Sequence, residues 1–218
     1  LLFIENDNLD IMQELAEIYY KLENYNQSIY YYNSILDCNG GAEEVFYNLA
    51  LSYVKNNNFL QALIAFKRAS LLNENNHIIK YQLGVTYFEL ELYSHALPYF
   101  KDYNINDVDS RFMEGLCYLK LSQYEEAIQS FDSYLNLKGY DSEIEYYKGL
   151  CYFYLNNYKI AAKFFKKLLK TDSENLDAIY KLGICYINLE KQREAKKILN
   201  SLYYTDKFLY NSLDSIIN

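Results

Sequence analysis

A small residue followed three positions later by a tyrosine occurs six times in this chain at near-constant spacing. The pairs are Ala16/Tyr19, Ala50/Tyr53, Gly84/Tyr87, Gly115/Tyr118, Gly149/Tyr152 and Gly183/Tyr186. Subtracting successive anchors gives 34, 34, 31, 34 and 34 residues. A period this regular means one supersecondary unit repeated in series, which constrains the fold before any other argument. It also directs the expected function toward binding along an extended surface, with no site for chemistry.

Each unit carries further marks. Twelve residues after the anchor stands another small residue: Ser28, Ala62, Ala96, Ala127, Ala161 and Ala195. Four further on come Tyr32, Phe66, Phe100, Phe131 and Phe165, with Leu199 in the sixth unit. Nine after the anchor stand Tyr25, Phe59, Tyr93, Tyr124 and Tyr158, then Gln192. Apolar residues fall at helical spacing, as in Tyr47, Ala50, Leu51, Tyr53 and Val54, then Ala62, Leu63, Phe66 and Ala69. Short polar stretches such as Lys55 to Asn58 separate the two helices of a unit.

With these marks the chain resembles the tetratricopeptide repeat (TPR) family over roughly residues 9 to 209. The resemblance implies an all-α, right-handed TPR superhelix, an α-solenoid of six helix-turn-helix repeats. The repeats are expected at about 9–42, 43–76, 77–107, 108–141, 142–175 and 176–209. Residues 1–8 are then an N-terminal extension and 210–218 a partial capping helix, in which Leu213, Ile216 and Ile217 keep the helical spacing. The anchor and the small residue twelve later are expected to face each other, so that a leucine at Ala127 overpacks the contact by about 1–3 kcal/mol.

Composition agrees. One Pro and seven Gly in 218 residues leave little room for linkers or sheet turns. The formal charge of −8 argues against a nucleic-acid partner, since phosphate binding needs basic stripes. Lys163, Lys166, Lys167 and Lys170 form a local cluster at the spacing of a solvated helix face. No stretch reaches the roughly 18 apolar residues of a membrane helix. The chain begins at Leu1, so an upstream segment is expected.

Cys117, Cys151 and Cys185 are again 34 apart, at the place that Ser52 and Thr86 occupy in earlier repeats. Equivalent points on neighbouring helices lie roughly 8–10 Å apart, too far for a disulfide or a compact metal site. They read as small packing residues, and a core of reduced cysteines leans toward a cytoplasmic setting. His77 and His95 have no cluster of ligands or acids around them. With no phosphate loop, nucleophile elbow or His-Glu motif, the expectation is no enzyme, no catalytic residue, no metal and no cofactor.

The resemblance places first helices along a concave groove. Its expected lining is Tyr47, Leu51, Tyr81, Val85, Phe88, Phe112, Leu116, Leu119, Tyr146, Leu150, Phe153, Tyr180 and Ile184. The place after the anchor, polar in most TPR units, is aliphatic here in Leu51, Val85, Leu116, Leu150 and Ile184. Acids at Asp10, Glu44, Asp109, Glu143 and Asp177 rim the same side. The family's carboxylate clamp is not reproduced: Gln13, Glu17, Ile78 and Gln82 fill its places, and only Asn48 fits.

These features point to a protein-interaction scaffold or chaperone-like module. Its expected partner is an apolar or amphipathic peptide with basic flanks, bound without nucleic acid or membrane insertion. The alternatives are a self-associating assembly domain, with a homo-oligomer as the result, and a regulatory TPR arm of a larger enzyme.

Two irregularities carry their own expectations. The short third spacing and Pro98 within a second helix predict a bend over Pro98 to Asp109. Glu114 and Lys148 replace the leucine found before the other anchors, which suggests an ion pair between adjacent repeats unless both reach solvent.

Overall fold

The computed structural model describes residues 6–39, 41–103 and 107–217. Residues 1–5 of the expected N-terminal extension and 104–106 of the expected bend lie outside the described residues. Among the described residues there are thirteen helices and no strand. Two compact units, residues 1–113 and 114–218, divide inside one helix.

The first unit contains α1 (Asn6–Lys21), α2 (Tyr25–Asn39), α3 (Glu43–Lys55), α4 (Phe59–Leu72), α5 (His77–Glu89), α6 (Tyr93–Lys101) and the start of α7 (Val108–Lys120). Within it α1 packs on α2, α3 on α4 and α5 on α6, and the pairs join through α2 with α3 and α4 with α5. The second unit adds α8 (Tyr124–Lys138), α9 (Ser142–Tyr154), α10 (Tyr158–Leu168), α11 (Leu176–Asn188), α12 (Gln192–Thr205) and α13 (Lys207–Ile217). There α9 packs on α8 and α10, α11 on α10 and α12, and α13 on both α11 and α12. This is an all-α helical-repeat fold.

The turn inside each helix pair is one device used six times. Glu23, Asn57, Glu91, Ser122, Asn156 and Glu190, each seven residues after its anchor, have φ between 56° and 60°. The following amide donates to the carbonyl of the repeat tyrosine, as Asn58 N does to Tyr53 O (2.8 Å) and Asn157 N to Tyr152 O (2.8 Å). The left-handed residue itself donates to the carbonyl three back, as Asn57 N does to Val54 O (3.0 Å). That double closure satisfies orphan carbonyls at the end of the first helix. It delivers the ring nine after the anchor to the first position of the second helix. Entry to α5, α9 and α11 uses side-chain caps: Asn76 accepts from Ile78 N and Ile79 N, Asp141 from Glu143 N, and Asn175 from Ala178 N.

The core follows from the ring sixteen after the anchor. Tyr32, Phe66, Phe100, Phe131 and Phe165 are all buried at 1 % exposure or less, each contributing about 1.5–3 kcal/mol by leaving water. The anchor lies against that ring. A Cβ built on Gly115 would fall 2.5 Å from Phe131 Cε1, and one on Gly149 2.9 Å from Phe165 Cε1. The ring is therefore what presses on the anchor. Ser28, twelve after the first anchor, also meets the next pair, its Oγ lying 2.9 Å from Ser52 Oγ.

Cys117, Cys151 and Cys185 are buried and free at the place of buried Ser52 and Thr86, while Cys38 is free and exposed. The capping segment begins earlier than residue 210, because Asp206 caps α13 by accepting from Phe208 N and Leu209 N at 2.9 Å. Leu213 is fully buried against Gly183, and Ser212 Oγ meets Tyr180 Oη at 2.9 Å. Ile216 stays 48 % exposed. The expected Glu114–Lys148 pair is replaced by another. Lys148 Nζ reaches Asp132 Oδ1 at 2.5 Å and lies over the Phe164 ring, while Glu114 is buried.

Candidate functional site

The residues expected to line the groove divide by burial. In the first unit Tyr47, Leu51, Tyr81, Val85, Phe88 and Phe112 are half-buried. In the second Leu119, Tyr146, Phe153, Tyr180 and Ile184 are half-buried. Leu116 and Leu150 differ, being 9 % and 8 % exposed. Leu150 belongs to the core with Ala161, Phe165 and Tyr186. These two are packed into the fold and nearly closed to solvent.

The rings have local duties as well. Those three before the anchor pack on the core ring of their own pair: Tyr47 on Phe66 (5.8 Å), Tyr81 on Phe100 (5.7 Å) and Tyr146 on Phe165 (6.3 Å). Those four after it meet the first ring of the second helix, Tyr20 with Tyr25 (5.6 Å), Phe88 with Tyr93 (5.1 Å) and Phe153 with Tyr158 (5.7 Å). Such edge-on and tilted contacts are favourable in themselves. The Tyr146 hydroxyl donates to Asp177, and burial together with that carboxylate raises its pKa. Tyr180 and Ile184 pack against the cluster of Leu199, Leu202 and Leu213 that α12 and α13 supply.

The first-helix side of the first unit nevertheless holds an open cavity of about 310 Å³. Its walls are Glu17, Tyr20 and Lys21 from α1, Tyr32 from α2, and Glu44, Asn48 and Leu51 from α3. Asn48 hydrogen-bonds the Tyr32 hydroxyl; burial first, then the Glu17 and Glu44 carboxylates, push that hydroxyl's pKa far above its ordinary value. Tyr32 is thus a neutral floor, and the cavity's charge comes from the Glu17 and Glu44 carboxylates and the Lys21 ammonium. Two carboxylates against the one ammonium of Lys21, with an amide, tyrosine rings and a leucine, leave a slot of net negative charge that suits a cationic head on an apolar stem. The sequence places Tyr20, Leu51 and Glu44 on the first-helix side but does not bring in Tyr32 as the floor of one cavity. Among the described residues no three His, Cys, Asp or Glu side chains converge on a metal position, and no helix is long and apolar enough to cross a membrane.

Helix pairs closed by a repeated left-handed turn, with an aromatic ring on a small anchor, define a helical-repeat binding protein. The chain belongs to the tetratricopeptide repeat family. The family model described as Tetratricopeptide repeat matches residues 47–107. The model described as Anaphase-promoting complex, cyclosome, subunit 3 matches residues 101–165 and 131–202. A TPR protein from Parabacteroides merdae ATCC 43184 is 16 % identical with a TM-score of 0.77, covering 96 % of this chain and 85 % of its own. YrrB, described as a TPR protein with an unusual peptide-binding site, is 22 % identical with a TM-score of 0.69, covering 78 % and 89 %. MamA (41-end) from Desulfovibrio magneticus RS-1 is 16 % identical with a TM-score of 0.70, covering 77 % and 97 %. At these identities the likeness is one of fold. No curated protein matches the chain.

Proposed function

We propose that this chain is a protein-interaction scaffold that takes an amphipathic peptide with basic flanks against the first-helix side of its first unit. The TPR class builds protein–protein interaction surfaces, and the peptide-binding description of YrrB supports that reading here. The observation that carries it is the cavity bounded by Glu17, Glu44, Asn48 and Leu51. A lysine or arginine head would sit between the two carboxylates while its methylenes lie along Tyr20 and Leu51.

The test is fluorescence anisotropy with two labelled peptides that share leucines at helical spacing, one flanked by lysine and the other by glutamate. The lysine peptide is expected to bind, and Glu17→Gln with Glu44→Gln to weaken it about tenfold. No binding of the lysine peptide, or no effect of the double substitution on it, would refute the proposal. Leu116→Lys and Leu150→Lys are unsuited to this purpose, because a lysine forced into those buried places unfolds the packing it is meant to probe.

A further inference from the structure

We infer a second docking site, on the outer face of α4, for a partner's amphipathic segment that bears a carboxylate beside its apolar side chains. The inner face of α4 is filled by Ala62, Ala65, Phe66 and Ala69, all buried. On the opposite face Leu60, Ile64 and Leu71 are 61 %, 61 % and 70 % exposed. At 3.6 residues per turn these three fall within an arc of about 40° and form one stripe.

The other repeats show what solvent ordinarily selects at these places. Where α4 has Leu60, the remaining second helices have Asn26, Ser94, Glu125, Lys159 and Arg193. Where it has Ile64, they have Tyr30, Pro98, Gln129, Lys163 and Lys197. No other repeat puts Leu, Ile or Val at either position. Helix propensity cannot account for the difference, since lysine, arginine and glutamine are about as helix-favourable as leucine.

A cavity of about 220 Å³ opens beside the stripe between α2, α3 and α4, with Leu36, Phe46, Leu49 and Ile64 among its walls. Arg68 stands at its edge, exposed and with no carboxylate partner among the described residues. The first unit otherwise carries the acidic excess of the chain: 15 Asp and Glu against 7 Lys and Arg over residues 1–113, a difference of −8. The guanidinium beside the apolar cavity favours an apolar anchor with an acidic neighbour by local pairing, against the net negative charge of the unit. The stripe supplies the helix-on-helix contact, the cavity accepts one large side chain, and Arg68 holds the carboxylate. The stripe lies on a second helix, and the site shares no residue with the cavity between α1 and α3.

The test uses the full chain and the same two labelled peptides, read by anisotropy. The glutamate-flanked peptide is expected to bind, to lose about tenfold in affinity with Arg68→Glu, and to be lost with Leu60→Ser and Ile64→Gln together. Those replacements are what other repeats carry at these exposed positions, and circular dichroism melting confirms that the fold is kept. Unchanged binding of the glutamate-flanked peptide in these variants, or no binding at its solubility limit, would each overturn the site. So would loss on Glu44→Gln in place of Arg68→Glu. A concentration-dependent dimer in sedimentation that Leu60→Ser and Ile64→Gln abolish would assign the stripe to a second copy, and also overturns it.

Discussion

Ser28 on α2 and Ser52 on α3 meet hydroxyl to hydroxyl at 2.9 Å, both without exposure to solvent. Ser52 Oγ also donates to its own helix at Asn48 O, 2.9 Å away. With that proton committed, Ser28 is the donor and Ser52 the acceptor. The two substitutions to alanine are therefore unequal. Ser28→Ala leaves Ser52 with its carbonyl partner and costs about 1 kcal/mol, whereas Ser52→Ala strands a buried donor and costs about 1–3 kcal/mol. Urea melts of the two variants and the double variant check the order; equal losses would contradict the assignment of donor.

The six left-handed turns predict a gain in stability. Glu91 holds φ at 59° without being glycine, a conformation that costs an L-residue roughly 1–2 kcal/mol. Glu91→Gly removes that strain at some cost in unfolded-state entropy, so a net rise of about 0.5–1 kcal/mol is expected. Asn57→Gly should gain less, since asparagine tolerates this region. Thermal melts of both, compared with the parent chain, decide the matter.

Gly115 and Gly84 occupy equivalent anchors but different space. A Cβ on Gly84 would lie 3.0 Å from its nearest neighbours, and one on Gly115 only 2.5 Å from Phe131. Alanine gains about 1 kcal/mol of helix propensity at either place, against overpacking of about 1–3 kcal/mol. Gly84→Ala should thus be near neutral and Gly115→Ala destabilising. A Gly115→Ala variant that melts above the parent would reject this account of the ring.

Stability should fall on the alkaline side. Burial pushes the thiols of Cys117, Cys151 and Cys185 up to about 12. Burial, then Asp109 and Asp107, push Tyr81 up to about 12. Each of these acids stays protonated in the fold after the unfolded chain has ionised. The unfolded state then binds fewer protons, and stability drops as pH rises. The contribution is complete below pH about 8.5, where unfolded thiols are still protonated, and is lost on approach to 12. Asp141 acts oppositely: against the cost of burial, the Tyr134 hydroxyl and Lys138 hold its carboxyl below the ordinary value. Its stabilisation of α9 is present above about pH 4 and fades as pH falls. A melting temperature that is level from pH 9 to 12 would contradict the buried thiols.

Much of this fold is legible in spacing because each repeat reuses one packing solution. The ring nine after the anchor begins the second helix, and the ring sixteen after it fills the core, as periodicity alone indicates. What sits against what is less legible. Spacing says that Gly115 needs to be small but not that Phe131 is the reason. Ion-pair partners follow side-chain reach, and Lys148 finds Asp132 on α8 rather than the acid at the matching place in the preceding repeat. The turns were hidden for a different reason: Glu, Asn and Ser carry no glycine signature, and the conformation comes from closure onto the tyrosine carbonyl. For the candidate site, alternation along first helices named Leu51 but could not separate half-buried Leu51 from buried Leu150. The stripe on α4 was readable, since Leu60 and Ile64 stand in columns that are otherwise without Leu, Ile or Val.

The three buried thiols have a use that follows from their placement on α7, α9 and α11, one per successive first helix. Each is sealed in the folded chain, so a thiol reagent can enter only when its surroundings open. The chain carries its own clocks, and their labelling rates in native buffer would report whether the second unit frays pair by pair or comes apart as a whole.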